Sequence, residues 1–155
     1  MSEDVNGADR DDRAEHWCIL LPCAAGERWA VPQNALAEIV TLHGDAAQPP
    51  EELAWRGVTV PVVDFGQEGE APWLAGGSGL VAVFLGLAGG GCDYWGVALR
   101  GEGIAARRID PAEVVDAPDD IADHATAAFI LDGATCQVPD LAAIQRQIAA
   151  RRNAA

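Results

Sequence analysis

Hydrophobic and polar residues alternate over short stretches of this chain, a pattern that is typical of β-strands. The most regular stretch covers residues 53–64, where Val58, Val60 and Val62 occupy every second position. Side chains two positions apart lie on the same face of a strand, so we predict a strand that is buried mainly on one side. Pro61 has no N–H for a sheet ladder, which places this strand at a sheet edge, at a bulge or where a barrel closes.

Two pairs of residues mark tight turns between predicted strands. Gly57 tolerates the positive φ of such a turn and leaves Arg56 projecting from it. Asp132 and Gly133 form the two-residue sequence that a type I′ hairpin turn favours. Alternation and turn chemistry together predict further strands at residues 17–22, 28–32, 38–42, 80–85, 94–99, 103–109, 126–131 and 134–138.

Two helical segments are also predicted. Asn34 is expected to cap one short helical turn, because its side chain accepts hydrogen bonds from the free N–H groups at a helix start. Asp140 is expected to cap a longer C-terminal helix for the same reason. In that helix Leu141, Ile144 and Ile148 share one face, which is therefore apolar.

The arrangement of these elements predicts an all-β fold. Residues 66–79 are rich in glycine and resemble a linker, with about five predicted strands before them and about five after. Two small β-barrels side by side are the simplest closure, because closing each sheet removes its exposed strand edges. Residues 1–15 are charged and lack periodic apolar positions, so we predict a disordered acidic tail.

Charge and cysteine content narrow the possible partners. The net charge is −14, and all ten basic residues are arginine. Such a surface repels phosphate backbones and anionic lipid, so we expect no nucleic-acid or membrane partner and favour basic or mixed protein surfaces.

No apolar run approaches the roughly 18 residues of a membrane span, and the N-terminus lacks a signal-peptide pattern, which predicts a soluble cytoplasmic protein. No metal-ligand spacing joins the four cysteines, which we interpret as reduced and mostly buried: Cys18, Cys23, Cys92 and Cys136.

The sequence offers little for catalysis. Gly101 and Gly103 match a dinucleotide-binding turn, but such a turn must open a helix, and the following residues leave no length for one. Asp64 ends a strand, where a carboxylate usually caps a turn. The three histidines, which we expect to be solvated in the tail and in loops, are His16, His43 and His124. The five tryptophans are expected mainly in the core. We therefore predict no catalytic residue, no metal and no cofactor.

Four segments in order give a resemblance to a known family. The most specific is the run Arg56-Gly57 through Pro61-Val62-Val63-Asp64, which resembles the family's LRG-x-x-x-PV-x-DL. The others are the opening hairpin at residues 19–32, Leu36-Ala37-Glu38-Ile39, and Asp132-Gly133 followed by Val138-Pro139-Asp140-Leu141. Over residues 17–148 the chain resembles the CheW family, whose members join chemoreceptors to a chemotaxis histidine kinase in bacterial two-component signalling.

The resemblance implies a CheW-like domain at residues 16–152, built from two five-stranded SH3-like barrels without catalytic activity. It places subdomain 1 at residues 17–65 plus the chain ends, and subdomain 2 at residues 80–131. In the family, the groove between the barrels grips the tip of a helical receptor hairpin, and other strand ends dock on the kinase regulatory domain. The residues that the resemblance places at the partner-binding surface are Arg56, Glu38, Gly57, Ile39 and Trp55.

Departures from the family pattern leave alternatives open. Glu51 stands where a glycine is usual, and Leu99-Arg100-Gly101 replaces a Val-Asp-Gly. Leucine is common in the family where Trp55 and Phe65 stand here. The first hypothesis is a scaffold for chemotaxis or pilus motility that links receptor and kinase. The second is a decoy or localisation adaptor that binds only one of them, and the third is a nucleotide-binding enzyme domain at Gly101 and Gly103.

Overall fold

The computed structural model describes residues 17–24, 27–43, 48–66, 73, 78–100 and 104–154. The predicted tail, most of the predicted linker and the turn at residues 101–103 lie outside this part of the chain. The strands are β1 (Trp17–Ala24), β2 (Glu27–Pro32), β3 (Leu36–His43), β4 (Glu52–Trp55), β5 (Val58–Val63), β6 (Ser78–Leu85), β7 (Tyr94–Leu99), β8 (Ala105–Arg108), β9 (Val115–Asp116), β10 (Ala125–Leu131) and β11 (Ala134–Pro139). Three 3₁₀ turns (Gln33–Ala35, Pro111–Glu113 and Pro118–Asp120) and one α-helix, α1 (Leu141–Ala154), complete the described elements.

The strands form two sheets, which confirms the predicted all-β class with a C-terminal helix. The first sheet has six strands in the order β8-β1-β2-β11-β10-β9, and the second has five in the order β3-β6-β7-β5-β4. The strand order in the sheets does not follow chain order: strands from before and after the linker occur in both sheets. Strand β11 pairs in parallel with β2, Cys136 opposite Arg28 and Gln137 opposite Trp29. The end of the chain therefore returns to its beginning, and β3, β4 and β5 join β6 and β7 instead.

Buried apolar residues in the described part of the chain form three clusters, each with a different place in this architecture. One comes from the first sheet alone: Leu20, Ala30, Leu131 and Cys136. A second comes from the second sheet and one residue between β5 and β6: Leu53, Trp55, Val60, Trp73, Val81, Val83 and Ala98. The third joins both sheets to α1: Leu21, Cys23, Trp29, Val31, Ala82, Phe84, Trp95, Val97, Leu99, Ile144 and Ile148. Each sheet thus encloses its own small core, and the largest core lies between the two sheets.

Strands shared by two clusters are buried on both faces. In β6, Val81 and Val83 face the core of the second sheet, whereas Ala82 and Phe84 face the core between the sheets. A strand buried on both faces needs apolar residues at successive positions, which accounts for its unbroken apolar run.

The prediction that β5 is buried mainly on one face is wrong, because β5, like β6, contributes residues to two cores. Val60 lies in the core of the second sheet, but Val63 packs against the core between the sheets, and Val58 is 43% exposed. Pro61 lies one residue before Val62, where β5 begins to pair with β7. Pro61, which has no N–H, thus lies at the point along β5 where pairing with β4 ends and pairing with β7 begins.

Two tight turns have backbone conformations of the same kind. Arg56 and Gly57 have φ angles of 47° and 80°, and Asp132 and Gly133 have 53° and 78°. Positive φ at both central residues is the type I′ geometry, whose twist matches that of the flanking strands. The structure therefore confirms both predicted turns. It adds that Arg56 itself adopts the left-handed conformation, which is uncommon for a residue with a side chain.

The helical predictions are confirmed in one case and corrected in the other. Asp140 accepts a hydrogen bond from the backbone N–H of Ala143 at 3.0 Å, so it caps α1 as predicted. The 3₁₀ turn at Gln33–Ala35 is also present, but Asn34 is not its cap. The cap position belongs to Pro32, which makes no side-chain cap bond.

No helix in the described part of the chain is long and apolar enough to cross a membrane.

Candidate functional site

Arg56, Glu38 and Trp55 form a small cluster at the β4–β5 turn. One terminal guanidinium nitrogen of Arg56 donates a hydrogen bond to Glu38 Oε1 at 2.8 Å. Arg56 Cζ also lies 4.7 Å from the centroid of the Trp55 ring, within cation–π range. The side chains of Arg56 and Glu38 are 68% and 41% exposed, so this pair is at the surface. The structure thus brings together the two receptor-side residues that the resemblance indicated.

The other predicted partner-binding residues have different surroundings. Gly57 is exposed, and a Cβ added there would meet nothing within 4 Å. Trp55 is only 8% exposed, and its ring lies 4.9 Å from that of Tyr94 in an edge-to-face arrangement. Ile39 is half-buried and packs against the core between the sheets. Trp55 therefore lies under the Arg56 guanidinium and Ile39 belongs to the core between the sheets, while Arg56 and Glu38 form the accessible part of this surface.

A second ion pair was not predicted. Arg100 donates from Nε to Asp64 Oδ1 at 2.8 Å and from a terminal nitrogen to Asp64 Oδ2 at 2.6 Å. The two side chains are 10% and 23% exposed, much less than the pair at the β4–β5 turn. Asp64 Oδ1 also accepts a hydrogen bond from the backbone N–H of Gly66 at 2.8 Å, which is the turn-capping role predicted for this residue. The hydrogen bonds from Arg100, followed by that from Gly66, hold the pKa of Asp64 below its ordinary value although burial opposes this shift.

Both the backbone and the side chain of Arg100 are held by neighbouring residues. Its backbone N–H donates to the carbonyl of Pro22 in β1 at 2.7 Å, which links the end of β7 to the first sheet. A Cβ added at Gly66 would overlap the Arg100 guanidinium, so this site requires glycine or a shift of the arginine. An arginine after β7 and an aspartate after β5 stand 36 residues apart in sequence. Only the pairing of β5 with β7 brings them together, so the sequence carried no local signal of this contact.

A groove of about 460 Å³ lies beside the β4–β5 turn. One side is formed by Val58 and Thr59 at the start of β5, and the other by residues 86–94, which connect β6 to β7. Val58 and Leu87 are 43% and 52% exposed, which is high for aliphatic side chains.

Of the three histidines predicted to be solvated in the tail and in loops, His16 lies outside the described residues and His43 is exposed at the end of β3. The prediction is wrong at His124. His124 is half-buried, and its Nε2 lies 2.7 Å from Glu27 Oε1. Its ring packs 4.6 Å from that of Phe65 and 5.8 Å from that of Trp29. His124 is therefore part of the contact between the two sheets. The five tryptophans follow their prediction except Trp17, which is 46% exposed.

The structure next to residues 101–103 does not support the nucleotide-binding alternative. Gly101 and Gly103 themselves lie outside the described residues. The segment that follows them is strand β8, whereas a dinucleotide-binding turn must open a helix. Among the described residues, no group of three or more histidine, cysteine, aspartate or glutamate side chains is arranged to hold a metal ion.

These elements define an all-β fold of two barrel-like sheets with a C-terminal helix packed against the core that both sheets share, consistent with two SH3-like barrels. Among solved structures, the chain is similar to the scaffolding protein TtCheW from Thermoanaerobacter tengcongensis, with a TM-score of 0.55 and 14% sequence identity over 81% of this chain and 84% of that one. Comparisons with family models and with curated protein sequences find no match. The structural likeness confirms the CheW-like fold, and at this identity it shows the fold alone.

Proposed function

We propose that this protein is a non-enzymatic scaffold that couples a chemoreceptor to a chemotaxis-type histidine kinase, and therefore acts in the cytoplasm. The CheW-like fold and the similarity to a scaffolding protein support this class of function. Fold alone does not define function, so the proposal needs a site. The observation that carries it is the exposed Arg56–Glu38 pair, which occupies the two positions that the sequence motif assigns to the receptor side.

The geometry of the pair suits recognition of a partner protein. Arg56 is a largely exposed cation on a chain of net charge −14, so it is a local positive point on an acidic surface. A guanidinium can form paired hydrogen bonds with a carboxylate or with backbone carbonyls at a helix end. An exposed ion pair contributes only about 0–1 kcal/mol to stability, so Arg56 can exchange Glu38 for a partner group at small cost.

The alternative proposal is an adaptor that binds only one of the two partners. It rests on Glu51 and Arg100, the two departures from the family pattern. The Arg100 side chain pairs with Asp64 within the chain, whereas Glu51 is exposed and the bond that its backbone carbonyl accepts from Val62 N–H at 2.9 Å does not involve its side chain. Arg100 is thus used inside the fold, which favours the scaffold, because its side chain is not presented to a kinase.

Co-elution on a size-exclusion column tests the proposal. The chain is mixed with the signalling domain of a chemoreceptor, with the regulatory domain of its kinase, and with both together. A scaffold forms a ternary complex that contains all three proteins. A complex with the receptor domain alone supports the one-partner adaptor, and elution of the chain by itself in all mixtures contradicts both. Calorimetric titration with nucleotides is the control for the enzyme alternative, which requires saturable heat.

A further inference from the structure

The first sheet ends in two short strands. Its strand order begins with β8 and ends with β9, so in the described part of the chain neither strand has a neighbour on its outer side. Three of the four residues of β8 are exposed, and both residues of β9 are exposed. Unpaired edges carry free backbone N–H and C=O groups, which proteins usually cover or keep away from other strands. A contact between side chains brings these two edges together.

Arg107 of β8 makes this contact. One of its terminal nitrogens donates a hydrogen bond to Asp132 Oδ2, in the turn between β10 and β11. The other lies 3.5 Å from Glu113 Oε2, two residues before β9 begins. Cys18, directly opposite Arg107 on β1, packs against the core of the first sheet. Because residues opposite each other on paired strands share a face, the Arg107 side chain starts on the inner face of the sheet and reaches across its opening.

The charges around Arg107 favour these contacts. The hydrogen bond from Arg107, followed by the charges of Arg107 and of Arg28 on β2, lowers the pKa of Asp132 below its ordinary value. The Asp132 carboxylate is therefore ionised at neutral pH. Asp132 and Glu113 are exposed and Arg107 is half-buried, so the three side chains can separate without leaving a fully buried charge. Ion pairs at such a surface are weakened by dissolved salt.

The second sheet has the same relationship between its edges. Its strand order begins with β3 and ends with β4. Arg56, in the turn that follows β4, donates a hydrogen bond to Glu38 of β3 at 2.8 Å. In the described residues of both sheets, the edge strands are not joined by a backbone ladder, and an arginine binds a carboxylate across the gap.

We propose that Arg107, with Asp132 and Glu113, is a clasp that closes the first sheet into a barrel, and that the sheet opens locally along β8 and β9 when these ion pairs are screened or removed. The clasp is a conformational device of the fold and needs no partner, so it does not depend on the proposed function. Local opening is expected of β8 because it is short, is paired on one side and buries little.

Hydrogen exchange tests the clasp. Arg107→Met removes the charge but keeps most of the aliphatic length, and Asp132→Asn removes one carboxylate while keeping a residue that type I′ turns favour. In both variants the amides of β8 and β9 should exchange about three- to fivefold faster, while Val31 in the central strand β2 stays unchanged. Arg108→Met is the matched control, because Arg108 is the exposed neighbour of Arg107 on the same strand.

Three results of this experiment would overturn the clasp. The first is unchanged exchange at β8 in both variants. The second is an equal acceleration in Arg108→Met, which would show that any loss of charge on β8 has the same effect. The third is a uniform increase that includes Val31, which would show global rather than local destabilisation.

Ionic strength separates charge from packing. The wild type and Arg107→Met are compared at about 0.05 M and about 1 M sodium chloride, where the screening length falls to about 3 Å. Relative to Val31, exchange at β8 in the wild type should rise towards the rate in Arg107→Met, and the variant should not respond. A wild type without this response would overturn the electrostatic clasp even if Arg107→Met exchanged faster, because lost packing would then account for the variant.

Discussion

Arg100 and Asp64 form a bidentate ion pair between the residues that follow β7 and β5, two neighbouring strands of the second sheet. The backbone of Arg100 is bonded to Pro22 in the first sheet, so the pair lies where the two sheets meet. Arginine at this position departs from the CheW sequence pattern, but here it has a partner within the chain. The arrangement stabilises the junction of the sheets through two charge-assisted hydrogen bonds.

Removing the carboxylate of this pair should destabilise the protein. In Asp64→Asn the guanidinium of Arg100, which is 10% exposed, loses its counter-ion and one hydrogen bond. We expect the free energy of unfolding to fall by about 1–3 kcal/mol, measured by urea denaturation. Asp123→Asn, at an exposed position, is the control and should change stability by less than about 0.5 kcal/mol. An equal and small effect of both substitutions would show that the pair contributes nothing.

The contribution of Asp64 should also depend on pH. Its pKa in the folded protein is lowered from the ordinary value of 3.8, chiefly by the hydrogen bonds from Arg100. The unfolded chain therefore binds the proton more readily, and the stabilisation is complete above about pH 4 and is lost as the pH falls through the folded pKa. The difference in unfolding free energy between wild type and Asp64→Asn should be constant at neutral pH and narrow below about pH 4. A difference that widens in acid would contradict this sign.

Substitution of Arg56 should separate binding from stability. In Arg56→Ala the exposed pair with Glu38 is lost, so the free energy of unfolding should change by less than about 1 kcal/mol. Affinity for the receptor signalling domain should fall by about 1–3 kcal/mol, measured by calorimetry. Arg108→Ala, at an exposed arginine on β8, is the matched control and should bind as the wild type does. Equal receptor affinity in the Arg56 variant would assign the residue a structural role only.

Gly57 should be required for the geometry of the β4–β5 turn. Its φ of 80° is unfavourable for residues with a Cβ, although the space around it is open. Gly57→Ala should therefore destabilise the protein by about 1–2 kcal/mol through backbone strain alone. Thermal or urea unfolding measures this effect, and Gly133→Ala, at the equivalent position of the other type I′ turn, should behave in the same way. A stability gain in either variant would show that the turn can adopt another form.

Cys23 should be the least reactive thiol. It is fully buried, and burial, followed by the charge of Glu27, raises its pKa well above the ordinary value. Because the thiolate is the reactive form, alkylation of Cys23 in the folded protein should be slower than that of Cys18, which is half-buried. Mass spectrometry after timed exposure to iodoacetamide measures both rates. The same reaction in denaturant is the control, where the two rates should converge.

Local patterns were sufficient where a local property decides the structure. The two type I′ turns depend on glycine at the second position, and the start of α1 depends on the side chain of Asp140 three residues before its bonding partner. The unbroken apolar run of β6 predicted a buried strand, because a strand buried on both faces needs apolar residues at successive positions. The candidate partner residues Arg56 and Glu38 were found through a sequence motif, and their contact at 2.8 Å was not derivable from either residue alone.

Other features depended on which strands become neighbours. The alternation of apolar and polar residues does not show which strands pair: β11 pairs with β2 in parallel, and β1 and β2 lie in the same sheet as the last four strands. It identified Asp64 as a turn residue, but Arg100 reaches it only because β5 and β7 are adjacent. The sequence gives no local signal for the role of Gln145, because its hydrogen-bond partners, Leu87 and Cys92, lie in the distant connection between β6 and β7.

The sequence by itself thus determined the strands other than β9, the two type I′ turns, the capped helix and the motif that points to a CheW-like fold. These follow from side-chain period, backbone preference and capping, which act over a few residues. The tertiary structure decided the grouping of strands into sheets, the burial of β5 on both faces, the Asp64–Arg100 pair and the support of residues 86–93 by Gln145. Each of these depends on contacts between segments far apart in the chain, whose free energy exists only once the sheets have packed together.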